Sequence, residues 1–356
     1  MVCKNIFTQR PITKLECLWG RAHREAVEEL LENSMEGETS VLLGPRRIGK
    51  TSVVLTMLEL FKSKGHYIYF NFSRFLGAKA ISIADITPQK TSLKFITTSK
   101  AYKFSLKGVE VEVRKTSINE FVSDFSTLVR VFSENTKRGV IVFDEAQVLA
   151  RLKNLDFRGL IQEIIDTYTN ISLIFTGSMP GLLVNYLNPS PDRPNFMRGA
   201  RTITLGRWST EEGVEYLKSG FGRDDPRFPR IVESLGGIPG FLAYFGLTAL
   251  NMGYPSQDTL DLALMKTLEY AKEEWRRDIG AFLALYNSPI YTSILKILAR
   301  SEVPLRGSEI YKLLEEKPKR IQHVYKYLKN LEKAGFVKSS GKRYWIEDPV
   351  LKLALL

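Results

Sequence analysis

Short and almost continuous apolar runs alternate with helical patterns along the first part of the chain. The runs cover residues 40–43, 67–72, 139–143, 171–175 and 202–205. Strands buried on both faces have this composition, and their alternation with helices is typical of a parallel sheet covered by helices on both sides. The pattern therefore predicts an α/β fold for a first domain, which we place at residues 1–206.

A different pattern interrupts this alternation between residues 74 and 117. Apolar and polar positions alternate there, with apolar residues at Phe104, Leu106, Val109, Val111 and Val113. Lys107 and Gly108 lie where a hairpin would turn, so the segment predicts a β-hairpin inserted into the core. Ser117 and Glu120 then form a capping box, which predicts that a helix begins there.

The chain becomes helical after residue 206. A second capping box, at Ser209 and Glu212, opens amphipathic segments that continue to about residue 285, and residues 287–289 have the composition of a linker. Three helical patterns and two short strands follow, at residues 291–300, 307–314, 318–334 and on both sides of Ser340-Gly341. Three helices followed by a hairpin form a winged helix-turn-helix. We therefore expect a helical lid at residues 207–287 and a winged-helix domain at residues 288–356.

A glycine-rich loop joins the first apolar run to a helical pattern and reads G-x-x-x-x-G-K-[ST]. The glycines allow backbone N–H groups to surround a phosphate, and the helix N-terminus adds a positive dipole end. Lys50 would reach the β- and γ-phosphates of a nucleoside triphosphate, and the Thr51 hydroxyl would bind Mg²⁺. The residues expected to hold the nucleotide are Gly44, Pro45, Arg46, Arg47, Ile48, Gly49, Lys50, Thr51 and Ser52.

A pair of carboxylates follows the apolar run at residues 139–143. Asp144 and Glu145 would emerge at the carboxyl end of a strand, where parallel sheets bind ligands. Asp144 would hold Mg²⁺ through its water shell, since this ion dehydrates reluctantly. Glu145 would act as the general base or orient the attacking water. With the phosphate loop, this pair predicts hydrolysis rather than storage of the nucleotide.

Four further side chains are candidates for the same reaction. Ser178, just after the run at residues 171–175, would place its hydroxyl between the γ-phosphate and the water, and Thr176 is the competing candidate. Arg198 and Arg201 precede the last run and are candidates to stabilise transition-state charge, in cis or across a subunit interface. The planar fork of an arginine matches phosphate oxygens, which is why this residue type suits the role.

The net charge of +12 is concentrated in two segments. Residues 74–117 hold nine Lys or Arg against three Asp or Glu, and residues 289–356 hold fourteen against seven. Localised positive charge indicates a polyanionic partner, DNA first, although it also suits a solubilising surface. The winged-helix residues expected to contact DNA are Lys319, Arg320, His323, Lys326, Lys342 and Arg343. A winged helix can also bind protein, so a protein partner is the alternative.

Cysteine content and hydropathy bear on where the protein works. Cys3 and Cys17 are the only cysteines and predict neither a metal cluster nor a disulfide framework, which fits a reducing interior. The N-terminal residues lack the apolar stretch of a signal peptide. No apolar run approaches about 18–20 residues, which argues against a membrane span. We therefore expect a cytoplasmic protein without a membrane partner.

The chain resembles the archaeal branch of the AAA+/STAND ATPases. The resemblance rests on residues 44–51, 140–147 and 176–178, on Trp19-Gly20-Arg21 with Glu25, and on the sequence Gly-Gly-Ile-Pro at residues 236–239. It implies a P-loop NTPase core with a five-stranded parallel sheet in the order 5-1-4-3-2, and a nucleotide held between core and lid. It also implies that Trp19, Gly20, Arg21 and Pro239 lie near the adenine.

Two features depart from that family. Its members often carry, in the lid, an arginine that senses the γ-phosphate, where this chain has Gly-Gly-Ile-Pro at residues 236–239. The Gly-Arg pair usual before the last strand is replaced by Arg-Gly-Ala-Arg at residues 198–201, which leaves two candidates for the arginine finger.

The function hypothesis is an ATPase with ATP or ADP and Mg²⁺ as its cofactors. It would be a switch or motor that couples nucleotide state to DNA binding through the winged helix. Two alternatives stay open at this point: a STAND-like signalling or scaffold ATPase whose winged helix binds a protein, and a replication-initiator-like ATPase. Assembly into a homo-oligomer is compatible with each of them.

Overall fold

A computed structural model describes residue 3 and residues 6–188, 199–255 and 258–356. The strands, in chain order, are β1 (Ser40–Leu43), β2 (His66–Asn71), β3 (Lys90–Thr91), β4 (Lys94–Thr97), β5 (Ala101–Leu106), β6 (Val109–Arg114), β7 (Gly139–Asp144), β8 (Ile171–Gly177), β9 (Arg201–Thr204), β10 (Leu305–Arg306), β11 (Lys338–Ser340) and β12 (Arg343–Trp345).

The helices alternate with these strands in the first part of the chain and dominate the rest. They are α1 (Arg21–Glu36), α2 (Lys50–Phe61), α3 (Ile118–Asn135), α4 (Arg158–Thr167), α5 (Pro180–Leu187), α6 (Thr210–Phe221), α7 (Phe228–Ser234), α8 (Pro239–Asn251), α9 (Thr259–Tyr286), α10 (Ile290–Arg300), α11 (Gly307–Leu313), α12 (Ile321–Lys333) and α13 (Pro349–Leu355).

The central sheet has six strands in the order β3-β2-β7-β8-β1-β9. The five long strands are parallel and, numbered along the chain, lie in the expected order 5-1-4-3-2. The expectation of five strands and a wholly parallel sheet is nevertheless wrong, because β3 pairs antiparallel with β2, with Ile68 opposite Thr91. The inserted segment returns along the edge of β2 and satisfies backbone groups that an edge strand leaves unpaired.

Helices cover both faces of this sheet. Side chains of one face, such as Phe70 and Phe143, pack in one cluster with residues of α3 and α4. Those of the other face, such as Tyr69 and Val142, pack in a second cluster with residues of α1 and α2. Successive strand residues point to opposite faces, so both sets must be apolar. This explains why the sequence shows continuous apolar runs rather than alternation.

The insertion forms a three-stranded antiparallel sheet in the order β4-β5-β6. Lys107 and Gly108 both have positive φ angles, 49° and 85°, as the two central residues of a tight hairpin turn require. The predicted hairpin is therefore present, with β4 as an additional strand. Ser117 accepts a hydrogen bond from the backbone N–H of Glu120 at 3.3 Å, so the predicted helix begins where the capping box places it.

Residues 207–287, expected to form a helical lid and called the lid segment below, contain α6 to α9. The second capping box is formed, with Ser209 accepting from Glu212 N at 3.1 Å and the Glu212 carboxylate accepting from Ser209 N at 3.1 Å. Gly237 has φ 62°, and a Cβ there would lie 2.3 Å from the carbonyl oxygen of Trp208. Glycine therefore permits the close approach between α8 and the segment that leaves β9.

The C-terminal segment, residues 288–356, has the predicted three helices, α10 to α12, and the predicted hairpin, β11 and β12. The short strand β10 joins them to give an antiparallel sheet in the order β10-β12-β11. Helix α13 was not expected and packs against α9. Asp348 caps α13 and forms a buried ion pair with Arg207 at 2.9 Å, which ties the end of the chain to the start of the lid.

The cysteine expectation is wrong, because Cys3 and Cys17 form a disulfide. Cys17 ends the short 3-10 helix Leu15–Cys17, and its Cα lies 5.6 Å from that of Cys3. The cysteine argument for a reducing interior therefore fails. Among the described helices, none combines the length and hydropathy that a bilayer crossing requires.

Candidate functional site

The phosphate loop lies between β1 and α2 and has the backbone that its glycines permit. Gly44 and Gly49 have φ angles of 154° and 101°, and a Cβ on Gly44 would lie 2.7 Å from the carbonyl oxygen of Leu205. Lys50 is the first residue of α2, and its Nζ donates to the carbonyl oxygens of Gly44 and Pro45, each at 2.8 Å. Burial lowers the pKa of Lys50. The two carbonyl oxygens thus hold the Lys50 amine at the rim of the loop.

Asp144 ends β7 and lies beside this loop. Its Oδ2 accepts from the hydroxyls of Tyr69 at 2.6 Å and Thr51 at 3.0 Å, and from the amide of Asn71 at 3.0 Å. Its Oδ1 accepts a hydrogen bond from Thr176. Burial raises the pKa of Asp144, and the neighbouring carboxylate of Glu145 raises it further. Thr51 and Asp144 together present the oxygen donors that Mg²⁺ prefers.

Glu145 follows Asp144 with a left-handed backbone, φ 60°. Its Oε2 accepts three hydrogen bonds: from the Ser178 hydroxyl at 2.7 Å, from the Ser178 backbone N–H at 3.0 Å and from the Gln147 amide at 2.6 Å. The two candidates at the end of β8 have different carboxylate partners: Thr176 donates to Asp144 and accepts from the Glu145 backbone N–H at 3.2 Å, whereas Ser178 donates to the Glu145 carboxylate. A left-handed non-glycine backbone is a strained conformation of the kind found at functional sites.

A cavity of about 270 Å³ opens next to these groups. The phosphate loop, the lid and the N-terminal segment line it, and Glu145 lies at its wall. Trp19 and Pro239, which the family resemblance places near the adenine, both line it. Ser52 accepts from the backbone N–H of Ile12 at 3.1 Å, and Ile12 also lines the cavity. The N-terminal segment is therefore held on α2 and closes one side.

His23 connects the phosphate loop to the lid segment. Its Nε2 donates to the carbonyl oxygen of Ile48 at 2.5 Å, and its Nδ1 accepts from the indole N–H of Trp208 at 3.4 Å. Gly20 lies against both side chains, because a Cβ there would be 2.4 Å from Trp208 Nε1. Burial lowers the pKa of His23, and the hydrogen bond from Trp208 requires the neutral ring, because only an unprotonated Nδ1 can accept it.

Two predicted residues lie away from the site. Arg21 has an exposed side chain that pairs with Glu25 at 2.7 Å, and it does not line the cavity. Arg201 pairs with Glu38 at 2.6 Å and lies opposite Ser40, at the end of β1 remote from the phosphate loop. The prediction that Arg201 is an arginine finger for the phosphates of its own chain is therefore wrong, because the length of β1 separates Arg201 from the phosphate loop. Arg198 lies outside the described residues.

The basic residues of the C-terminal segment lie on its surface. All six expected DNA contacts are exposed, and none of them forms an ion pair with another described residue: Lys319, Arg320, His323, Lys326, Lys342 and Arg343. Arg343 does donate to the carbonyl oxygen of Pro304 at 2.9 Å. Lysines and arginines without acidic partners are available for an external anion.

Several residues of the site were not predicted from the sequence. Tyr69 and Asn71 could have been found, because β2 lies next to β7 in the expected strand order and ends at the same edge. Gln147 lies within the motif at residues 140–147, but no role was predicted for it. His23 and Trp208 carry no signal in the sequence, since they meet across 185 residues.

Comparison with known proteins supports this description of the core. Residues 36–196 match a protein-family model described as an AAA domain. The sequence has no significant match among curated proteins. A Walker-type ATPase of Pyrococcus abyssi is similar in structure, with 27% identity and a TM-score of 0.75 over 98% of this chain and 99% of that chain. The ORC2 protein of Aeropyrum pernix, solved with ADPNP and ADP, is 16% identical, with a TM-score of 0.62 over 98% of this chain and 96% of that one.

These similarities agree with the geometry of the site. The ORC2 likeness shows a shared fold, because its sequence identity is low. The AAA domain match over residues 36–196 and the likeness to the Walker-type ATPase indicate that the chain is an ATPase with a P-loop core.

Proposed function

We propose that this P-loop ATPase hydrolyses ATP in a Mg²⁺-dependent reaction and that its nucleotide state controls contact between its C-terminal segment and DNA. The observation that carries the proposal is the meeting of Lys50, Thr51, Asp144 and Glu145 beside one cavity bounded by the lid. The archaeal origin, cytoplasmic location and Mg²⁺ cofactor expected from the sequence belong to this proposal.

The roles of the loop residues follow from their positions. The backbone N–H groups of the loop and the ammonium of Lys50 bind the β- and γ-phosphates, after Lys50 leaves the carbonyl oxygens of Gly44 and Pro45. Thr51 and Asp144 hold Mg²⁺, with Tyr69 and Asn71 orienting the aspartate. When bound, Mg²⁺ neutralises charge on the phosphate oxygens. Trp19, Pro239 and Trp208 form the apolar part of the cavity for the base.

Glu145 is the proposed general base. In the structure its Oε2 is fully engaged by Ser178 and Gln147, which is a resting arrangement. Its Oε1 accepts no hydrogen bond from the described residues and is the oxygen proposed to take the proton of the attacking water. Ser178 can orient that water, since its hydroxyl can turn from Glu145 toward the water while its backbone N–H still holds the carboxylate.

We assign the division into domains to residues 1–206, 207–287 and 288–356, with a winged helix as the last of them. Helices α10, α11 and α12 and the sheet β10-β12-β11 support that assignment. Arg320 precedes α12, and His323 and Lys326 extend from its exposed side, where a recognition helix contacts a major groove. Lys342 and Arg343 lie on the hairpin, which would contact phosphates.

Filter binding of duplex DNA across a salt series tests the DNA contact. The wild-type protein should bind with an affinity that falls steeply with salt. The double variant Arg320→Ala/Lys326→Ala should lower the salt slope by about 2, one for each phosphate that the variant no longer neutralises. The matched control, Lys296→Ala/Arg300→Ala, removes the same charge from exposed positions of α10 and should bind like wild type.

Absence of salt-dependent binding with both ATP and ADP would contradict the DNA proposal. That result would favour the STAND-like alternative, in which the C-terminal segment binds protein. One contact supports that alternative: the pair of Asp348 with Arg207 holds the segment against the lid. The replication-initiator-like alternative shares the DNA contact and the same expected binding.

A further inference from the structure

Two consecutive arginines of the phosphate loop, Arg46 and Arg47, form ion pairs with α9. Arg46 pairs with Asp278 and Arg47 pairs with Glu274, one turn earlier on the same face of the helix. Both carboxylates are about nine-tenths buried. Loss of the only partner of a buried carboxylate is strongly destabilising, so Asp278 depends on Arg46, whereas Glu274 also pairs with Arg277 at 2.8 Å.

The two arginines differ in how firmly they are held. The guanidinium of Arg47 lies 5.7 Å from the ring centre of Phe241 and 5.0 Å from that of Tyr270, and its carbonyl oxygen accepts from Gly240 N at 3.0 Å. It therefore joins the loop firmly to α8 and α9. Arg46 has neither ring nor backbone contact of this kind among the described residues, and its side chain is 34% exposed.

Arg46 also lies where it can reach the reacting phosphate. Its side chain lines the nucleotide cavity together with Lys50 and Glu145. It lines a second, small cavity with Ser178 and Asp278, so it lies between the nucleotide and α9. The carboxylate of Glu145 is close enough to act on its charge. Residues 236–239 of the lid contain no arginine that could compete with Arg46 for this role.

We propose that Arg46 binds the γ-phosphate of ATP in cis, that Asp278 is its partner when no γ-phosphate is bound, and that the exchange reports the nucleotide state to α9. The inference rests on the proposed hydrolysis site. A γ-phosphate carries more charge than a carboxylate and accepts two parallel hydrogen bonds from an arginine. It therefore takes Arg46 from Asp278, whereas ADP does not.

The exchange has a mechanical consequence. Asp278 is then left as a buried, unpaired carboxylate next to a negatively charged phosphate, which is unfavourable. Moving α9 away from the loop lowers this cost. The same helix carries Trp275 and Phe282, whose rings lie 6.2 Å and 5.3 Å from that of Phe336, between α12 and β11. A shift of α9 at Asp278 is therefore transmitted to the base of the C-terminal hairpin. ATP loosens this contact, and hydrolysis restores it.

Equilibrium binding of ADP and of a non-hydrolysable ATP analogue, both with Mg²⁺, tests the inference on the full chain. Arg46→Ala should lower the affinity for the analogue by about tenfold or more, because a charge-assisted hydrogen-bonded pair is lost. It should lower the affinity for ADP by less than about threefold. Arg46→Lys should give an intermediate loss, because it keeps the charge without the fork. Asp278→Asn should bind the analogue several-fold more tightly, because the carboxylate that competes with the γ-phosphate for Arg46 is removed. Its affinity for ADP should be unchanged.

Glu273→Gln is the matched control, because it removes one carboxylate from an exposed position of the same helix. It should leave both affinities unchanged. Hydrogen exchange supplies the second measurement: the analogue, but not ADP, should raise exchange of the amides at residues 270–285, and Asp278→Asn should show raised exchange without nucleotide.

The inference would be overturned if Arg46→Ala lowered the affinity for both nucleotides equally or left both affinities unchanged. An α9 exchange pattern that is the same with ADP and the analogue would also overturn it. Neither measurement requires hydrolysis or DNA. Failure of Glu145 as the base, or of DNA binding by the C-terminal segment, is therefore distinguishable from failure of the Arg46 exchange.

Discussion

The hydroxyl of Tyr69 donates a 2.6 Å hydrogen bond to Oδ2 of Asp144, the same oxygen that accepts from Thr51. Tyr69 comes from β2 and Asp144 from β7, two neighbouring parallel strands. The phenol therefore fixes the orientation of the carboxylate proposed to hold Mg²⁺. Oxygen groups around a metal ligand commonly tune the site in this way.

Tyr69→Phe should weaken the binding of Mg²⁺ at the site without abolishing nucleotide binding. Loss of a hydrogen bond to a charged group corresponds to about a tenfold increase in the Mg²⁺ concentration needed for half-maximal hydrolysis. Titration of Mg²⁺ at saturating ATP measures this. Tyr67→Phe is the control, because Tyr67 lies on the same strand and same face but does not contact Asp144. Equal Mg²⁺ requirements in the two variants would contradict the role of Tyr69.

Glu145→Gln should lower the rate of phosphate release by at least ~100-fold, the usual contribution of a general base. Its affinity for ATP should stay within about threefold of wild type, because the loop and Lys50 are unchanged. Single-turnover phosphate release and equilibrium binding measure the two effects. Full turnover by Glu145→Gln would show that another group activates the water.

The pKa of His23, which burial lowers, predicts an acid-sensitive stability. The unfolded chain binds a proton at His23 below pH ~6.5, whereas the folded chain keeps the ring neutral. Stability from this group is therefore present above pH ~6.5 and is lost as the pH falls below it. Protonation also places an N–H at Nδ1, facing the indole N–H of Trp208.

Thermal unfolding of wild type and His23→Gln between pH 5.5 and 8 tests this. The variant should melt at a lower temperature at pH 8, because it lacks part of the buried contact between loop and lid. Its melting temperature should fall less than that of wild type as the pH is lowered. Parallel pH profiles would assign the acid sensitivity to other groups.

Gly237→Ala and Gly280→Ala should change stability in opposite directions. An alanine at residue 237 would hold a left-handed backbone and place Cβ 2.3 Å from the Trp208 carbonyl oxygen, so unfolding should become easier by more than about 1–2 kcal/mol. Residue 280 is helical and has open space around it, so alanine should stabilise it by up to about 1 kcal/mol. Chemical denaturation measures both, and a Gly237→Ala variant as stable as wild type would contradict the geometry.

Much of the core was predictable because its signals are local. The strands, the helix N-caps at Ser117 and Ser209, and the turn at Lys107-Gly108 each depend on residues that are neighbours in the chain. Backbone angles, helix caps and alternation of side chains are fixed over a few residues. The extra edge strand β3 was missed because its two residues carry no pattern.

The motifs of the candidate site could be predicted from the sequence, but the contacts between residues that are distant in the chain could not. The sequence by itself determined the phosphate loop and the pair Asp144 and Glu145, since a glycine-rich turn and a strand end need only local geometry. Tertiary structure alone decided that Arg201 faces away from the phosphates, that Cys3 meets Cys17 and that Arg46 lies against Asp278. These contacts depend on how separate elements pack, because no local backbone preference specifies which distant charge or sulfur a side chain will meet.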